Sequence, residues 1–471
     1  MAAEPQGYWD ALSSLPFQHD FPTADTETQL YEALIFQRAT QIFLLSLPAL
    51  HMLSMRDALQ GAFGQGFEIL PLWPQGTGAS TKLGQAQAGS IQGMGFLDLK
   101  REGPLVLQVP PRVQGTLTDF WQRPLSDFGP SSANEGKGGL YLVLPPAYQG
   151  HIPQGYRVLR AATYGVGLFL HAGAELMPVQ ALNGIRIFPL LGRDQARRPM
   201  RFPAATETPL DLRTPRDFSI FEKLARFIED EPVEMVDGLL RGMMASIGIK
   251  RGKPFQPDER RQRLLTRAAE LAPKMILAMR TRGCFTDERY FPDRQWLDLH
   301  SSVDALFQAL DHTAIDARSY FYLTAALSAP MLATPTLGRG SKCPFAMHDA
   351  DGALLSGDQS YRLHLPPEVP AADGWAVSVH HVADGTMLDH GDAPAIIRSR
   401  EGREQNQDGS FDVFFGPRPP EAGASNWLRT QPGRGFVVVL HLYGPEQAFF
   451  DQCWKPGDLE RLPAHQAIDE E

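Results

Sequence analysis

The chain's 471 residues exceed what one hydrophobic core serves, and at about 150 residues per domain two or three domains are expected. Hydrophobic residues at 43% and charged residues at 21% exclude wholesale disorder, while 44 Lys+Arg against 54 Asp+Glu, a formal net charge of −10, exclude a globally basic nucleic-acid footprint. Gly (43) and Pro (39) without collagen periodicity exclude a coiled coil and call for many short elements joined by turns.

Residues 1–65 read as an N-terminal helical segment. Leu30, Ala33, Leu34, Gln37, Gln41, Leu44 and Leu45 follow helical spacing within 25–60. Thr26 with Gln29 three residues on reads as an N-cap with a capping box, and Pro48 is expected to kink or end the first helix. The most apolar run, Ile42 to Leu50, is too short for a bilayer, so no membrane span is expected. Met1-Ala2-Ala3-Glu4-Pro5 suits a mature exported chain with a replacement start, placing it in the periplasm or outside the cell; a native Met1 places it in the cytoplasm.

From 66 to 192 the texture is β. Phe67 to Leu72, Phe96 to Leu99, Leu105 to Val109, Leu140 to Leu144, Tyr156 to Arg160 and Val166 to Leu170 are short strand-like runs punctuated by Pro110-Pro111, Pro145-Pro146 and Pro153-Gln154-Gly155. Residues 193–217, polar and rich in Arg and Pro, form a linker or crossing strap. A helical insert occupies 218–334, with apolar stripes at Phe218, Phe221, Leu224, Ala225, Ile228 and at Leu264, Ala268, Leu271, Met275. Asp258-Glu259 marks a helix start, and a third helix is expected from Ala317 to Leu327. Strand texture returns over 335–460 in Tyr361 to Leu365, Trp375 to Val382, Phe411 to Phe415 and Phe436 to Tyr443, with Asp408-Gly409 as a hairpin-type turn; 461–471 is a polar tail. The expected fold class is α+β, mainly β: two β-sandwich or jelly-roll-like domains with an N-terminal helical segment and a helical insert between them.

Common catalytic strings are absent. Cys284, Cys343 and Cys453 form no CxxC pair, there is no HExxH, and Gly89-Ser90-Ile91-Gln92-Gly93 has the wrong spacing for a nucleophile elbow. Gly129 to Gly138 fails as a phosphate loop, because Gly138 stands where Ser or Thr is needed. No motif requires a cofactor, and a divalent metal stays open.

Six of the thirteen histidines fall in 348–441: His348, His364, His380, His381, His390 and His441. Strand alternation puts Arg362 and His364 on one face, opposite Tyr361, and puts Ser378 and His380 opposite Val377, Val379 and His381. Val437, Val439, His441 and Tyr443 align on the last strand. If such faces converge, imidazoles can act as base or metal ligands; a lone strand histidine is otherwise a structural or surface residue. Arg318 and Tyr320 read either as an anion clamp at a helix start or as a cap and salt bridge with Asp316.

The strings also carry a family resemblance over nearly the whole chain. Gly95-Phe96-Leu97-Asp98-Leu99, Gly138-Gly139-Leu140-Tyr141-Leu142-Val143-Leu144-Pro145-Pro146 and Gly155-Tyr156 resemble the DUF1254 domain. Tyr361-Arg362-Leu363-His364-Leu365-Pro366, Asn406-Gln407-Asp408-Gly409-Ser410, Asn426-Trp427, Leu442-Tyr443-Gly444-Pro445 and Trp454-Lys455-Pro456 resemble DUF1214. The resemblance implies two sandwich-like domains joined by helices in an exported bacterial protein that forms homo-oligomers. One branch of the family is described as hydrolysing alkyl sulfate esters such as dodecyl sulfate. The chain departs from the family at Gln85 to Gln92, which replaces a Thr-Pro-Asn-x-x-Thr-x-Tyr-like segment, and at His380-His381, where relatives show Tyr-Asp.

The functional expectation is a hydrolase of a small amphiphilic ester, alkyl sulfate or carboxylic. Arg318, Tyr320, His364 and His380 are the expected catalytic group, and Tyr361, Arg362, His381, Trp427, Gln87 and Gln92 the substrate-binding group. A non-catalytic oligomeric binding protein for a hydrophobic or anionic small molecule is the alternative, and a non-haem metal enzyme using strand histidines the third. The partner expected is a small molecule, with no nucleic acid.

Overall fold

Two β-sandwiches enclose a layer of helices in the computed structural model, which describes residues 7–74, 77, 81–83, 91–130, 132, 135–171, 177–190, 198–281, 289–298, 304, 306–325, 337–338, 340–388, 396–402, 404–420 and 424–463. The fold is α+β and rich in strands, in line with the alternating runs of the sequence.

Among the described residues the first sandwich has eight strands: β1 (Ile91–Asp98), β2 (Leu105–Val109), β3 (Gly115–Asp119), β4 (Pro124–Phe128), β5 (Gly139–Leu144), β6 (Arg157–Arg160), β7 (Gly165–His171) and β8 (Arg186–Pro189). They form two sheets in the orders β1-β7-β3-β4 and β8-β2-β5-β6. Leu97, Leu117, Val166 and Leu168 of one sheet meet Leu105, Leu107, Tyr141 and Val143 of the other in its core. The alternate residues Met94, Phe96 and Phe169 point the opposite way and join the helical layer. One sheet is thus covered on both faces.

The expected strand from Phe67 to Leu72 is instead an extended strip. Leu70 and Leu72 donate to the carbonyls of Arg201 and Pro203 (both 2.9 Å), and Ala205 donates to Leu72 (2.8 Å). Pro71 has no N–H, which leaves isolated bridges in place of a ladder. Residues 201–205 of the expected linker are therefore a strap laid on the first sandwich.

The helical layer contains α1 (Ala24–Phe63), α2 (Ser219–Asp230), α3 (Gly238–Ser246), α4 (Glu259–Thr281) and α5 (Ile315–Thr324). One reading of α1 is corrected, and another is narrowed, since Pro48 does not end the helix. Its N-cap is Thr23, whose hydroxyl accepts from Thr26 N; Thr26 is buried one turn inside and donates to Pro16 O (2.8 Å). The helix also runs through Pro48 to Phe63. Proline leaves the carbonyl four residues earlier without its helical donor, and surrounding side chains brace this turn: Arg318 donates to Leu45 O (3.1 Å) and Gln122 to Pro48 O (3.4 Å). Every residue from Ser46 to Met55 is buried, because α1 runs through the middle of the layer. By length and composition alone α1 could cross a membrane, and an export signal passes the same test; here more than half of its most apolar stretch is buried inside the protein.

The second sandwich comprises β9 (Ser341–Lys342), β10 (Phe345–Ala346), β11 (Tyr361–Leu365), β12 (Ala371–His381), β13 (Ile396–Arg398), β14 (Phe411–Gly416), β15 (Trp427–Arg429), β16 (Phe436–Pro445) and β17 (Leu459–Arg461). Its sheets run β9-β16-β12-β13, with β10 also on β16, and β15-β14-β11-β17. Val377, Val379, Val438 and Leu440 of the first sheet pack on Tyr361, Leu363, Leu365 and Val413 of the second. Val437 and Val439 turn to the helices.

Candidate functional site

The residues singled out in the sequence do not converge. Arg362 and His364 share a face of β11 as alternation requires, but it is the outer face. Arg362 pairs with Glu460 (2.6 Å), and His364 Nδ1 meets Asp412 (2.8 Å); both partners come from neighbouring strands. Tyr361 points inward at 1% exposure, and its hydroxyl accepts from Ser356 N (3.1 Å). His380 lies on the other sheet, on the face turned to the helices, so the sandwich core separates it from His364. His381 is half-buried near Asp384 and Arg434. Trp427 donates to Gly416 O (3.2 Å) beneath Arg429. Gln92 braces the first domain, donating to Pro74 O and Met177 O and accepting from Met177 N. Gln87 lies outside the described residues. Tyr320 is buried with its hydroxyl at Met347 Sδ (3.7 Å), beneath Arg280 and stacked on Phe345. Arg318 lines a cavity, without Tyr320.

His380 and His441 do share a face, joined through Ser378. His380 Nε2 and His441 Nε2 lie 2.7 and 2.9 Å from Ser378 Oγ, His380 Nδ1 lies 2.9 Å from Gly385 O, and His441 Nδ1 lies 3.5 Å from Cys343 Sγ. The carbonyl can only accept, which assigns the direction: Cys343 donates to His441, His441 to Ser378, Ser378 to His380 and His380 to Gly385. Burial lowers His380 to about 4 and His441 to about 3, and raises the Cys343 thiol to about 12, so all three are neutral. The chain is closed within the protein and reads as a structural brace. Among the described residues no group of three His, Cys, Asp or Glu is placed to hold a metal. Ser378→Ala leaves two buried imidazoles short of a partner, and urea denaturation is expected to show a loss of about 1–3 kcal/mol.

Sequence reasoning missed a cavity of about 620 Å³ between α1, α2 and the first sandwich. Its apolar side is Leu53, Phe96, Phe120 and Phe227, with Phe96 edge-on to Phe120 and Phe227 stacked on it. Its polar side holds Asp57, ion-paired with Arg56 (2.9 Å) and Lys223. Burial opposes ionisation of Asp57, but these cations together hold its carboxyl below the usual range. Glu231 lines the same cavity immediately after α2. It is buried, accepts from Tyr164 N and from Gly165 N (3.0 Å), and has no Lys or Arg within ion-pair distance among the described residues. Burial raises its pKa to about 7, against the two amide bonds and with the help of Asp98 and Asp230. One cavity therefore holds two carboxyls pushed in opposite directions. A sequence signal existed: Asp230-Glu231 places acids at the negative end of an amphipathic helix, where carboxylates are disfavoured.

Comparison with known proteins adds family and fold. Residues 73–175 match the family model described as a protein of unknown function (DUF1254), and residues 341–447 match that described as a protein of unknown function (DUF1214). No curated protein matches. The chain is similar in fold to the crystal structure of the VPA0106 protein from Vibrio parahaemolyticus, at 14% identity over 91% of this chain and 100% of that chain, with a TM-score of 0.50. An uncharacterised protein from Burkholderia cenocepacia aligns over 93% of this chain and 97% of its own at 12% identity and a TM-score of 0.39.

Proposed function

The chain is a two-domain DUF1254/DUF1214 protein, and from that premise we propose that it is a hydrolase of a small amphiphilic ester, working in the cavity that holds Glu231 and Asp57. The observation that carries the reading is Glu231: a carboxyl at a cavity wall, unpaired with any described cation, whose proton comes and goes near neutral pH. Ionised, Glu231 takes a proton from water as the water attacks the ester centre. Protonated, it returns that proton to the leaving oxygen. Arg56 and Lys223, positioned by Asp57, supply positive charge for the oxyanion, and the Phe96, Phe120 and Phe227 rings receive the alkyl part. In this reading α1 is the core helix of the fold, and export and homo-oligomer formation follow the family habit.

Turnover of decyl sulfate and of nitrophenyl alkanoates tests it. Glu231→Gln is expected to lower kcat/KM by about 100-fold or more with the melting temperature little changed. The wild-type kcat/KM is expected to rise with pH through about 7 as Glu231 ionises. Full activity in Glu231→Gln, or a panel without turnover, rejects the proposal. A binding protein is the second reading, favoured by the aromatic wall of the same cavity.

A further inference from the structure

We infer that the second cavity, at the start of α5, is a binding site for an organic carboxylate, an anionic head on an apolar body. It does not rest on the hydrolase reading: Phe120 lines the Glu231 cavity, whereas its neighbour Trp121 lines this one. The volume is about 400 Å³, within the range of small-molecule sites.

Positive charge is in excess at its wall. Arg123 and Arg318 both line it, and Asp237 is the one acid there among the described residues. Asp237 caps α3, accepting from Leu239 N (2.7 Å) and Leu240 N (3.1 Å). Arg123 is answered by Asp119 (2.6 Å). Arg318 has no carboxylate within ion-pair distance among the described residues: its guanidinium donates to Leu45 O (3.1 Å) and lies 5.6 Å from the Tyr322 ring. Burial lowers the Arg318 pKa, but a guanidinium remains charged at neutral pH, so a cation stands half-buried without a counter-ion.

Two further donors belong to residues of this wall. Trp121 is 8% exposed, and its buried Nε1–H has no partner among the described residues; Arg123 Nη2 is likewise buried without one among them. Buried donors left unmet are rare and costly. The cavity also touches the N-terminal ends of α3 (Asp237, Leu240) and α5 (Ile315, Arg318), where helix dipoles favour an anion.

The remaining wall is apolar: Leu45, Met235, Val236, Leu240 and Leu306. A single unanswered guanidinium matches a monoanion, and its planar fork matches a carboxylate. A phosphate dianion would need more free cations than the wall offers.

Calorimetric titration of the full chain with sodium decanoate below its micellar range tests the inference. One decanoate site per chain that depends on Arg318 is expected, with the affinity at that site reduced at least about tenfold in Arg318→Met and less in Trp121→Phe, which keeps the ring and removes only the N–H. Since Arg318 also braces α1, Trp121→Phe serves as the variant that does not disturb that helix. No decanoate binding, equal affinity in both cavity variants, equally strong binding of decylammonium, or tighter binding of decyl sulfate than of decanoate would each overturn the carboxylate assignment.

Discussion

Acidification from pH 7 towards 5 is expected to unfold this protein, and buried histidines are the cause. Burial lowers His51, His171 and His380 to about 4 and His441 to about 3, from 6.5 in the unfolded chain. Below 6.5 the unfolded chain takes up protons that the folded state refuses, so stability is lost as pH falls from 6.5 towards these folded values. Each histidine contributes on the order of 3 kcal/mol of this loss, and four together approach the whole stability of a typical domain. Glu231 has the opposite sign. Its folded pKa is raised, so its contribution is full below 4.5 and lost as pH rises through about 7; Asp119, also raised by burial, acts in the same sense. Asp458, raised by burial as well, is a third such carboxyl; these three oppose the four deeply buried imidazoles, and the imidazoles win. His51 offers the cleanest check, because it sits at 4% exposure within α1 and its Nδ1 has no partner among the described residues. His51→Met keeps the volume and removes the titration. It should move the acid midpoint down by about half a pH unit while leaving stability at pH 8 within about 1.5 kcal/mol. An unmoved midpoint, or a wild-type protein that stays folded at pH 4, contradicts the account.

Much of the fold was legible because strands and turns leave local marks. Tyr361–Leu365 is the strand that the alternation gives, and Leu105–Val109 has its expected limits. The passage of helix α1 through Pro48 was not legible, because the contacts that brace that turn come from far along the chain, Arg318 among them. Such a contact has no local signature. The site was less legible for a related reason: alternation says which residues share a face and is silent on what that face meets. Arg362 and His364 do share one, yet Glu460 and Asp412 claim them there. Ser378, His380 and His441 also share one, and the helical layer seals it. The carboxyl pair of the Glu231 cavity comes from α1 and from the residue after α2, two segments joined only by tertiary packing.

Gly385→Ala is expected to destabilise the protein by about 4 kcal/mol or more, a large effect for the addition of one methyl group. Gly385 adopts φ +67°, which alone costs an alanine about 1–2 kcal/mol. A Cβ built there would lie 2.0 Å from Thr324 O and 2.7 Å from Thr324 C. Those are backbone atoms of the last residue of α5, so the clash is not relieved by rotating a side chain. The turn after β12 must withdraw, and the Gly385 carbonyl, which holds the proton of His380 Nδ1, withdraws with it. Collision, strain and loss of the histidine brace therefore act together at the seam between the helical layer and the second sandwich. Gly402→Ala isolates the strain component, because Gly402 has φ +64° and, among the described residues other than its chain neighbours, no atom lies within 4 Å of the added Cβ. Urea denaturation of the two variants should show Gly402→Ala losing about 1–2 kcal/mol and Gly385→Ala at least twice as much. Equal losses would mean that α5 yields at Thr324, and that the seam is softer than its packing indicates.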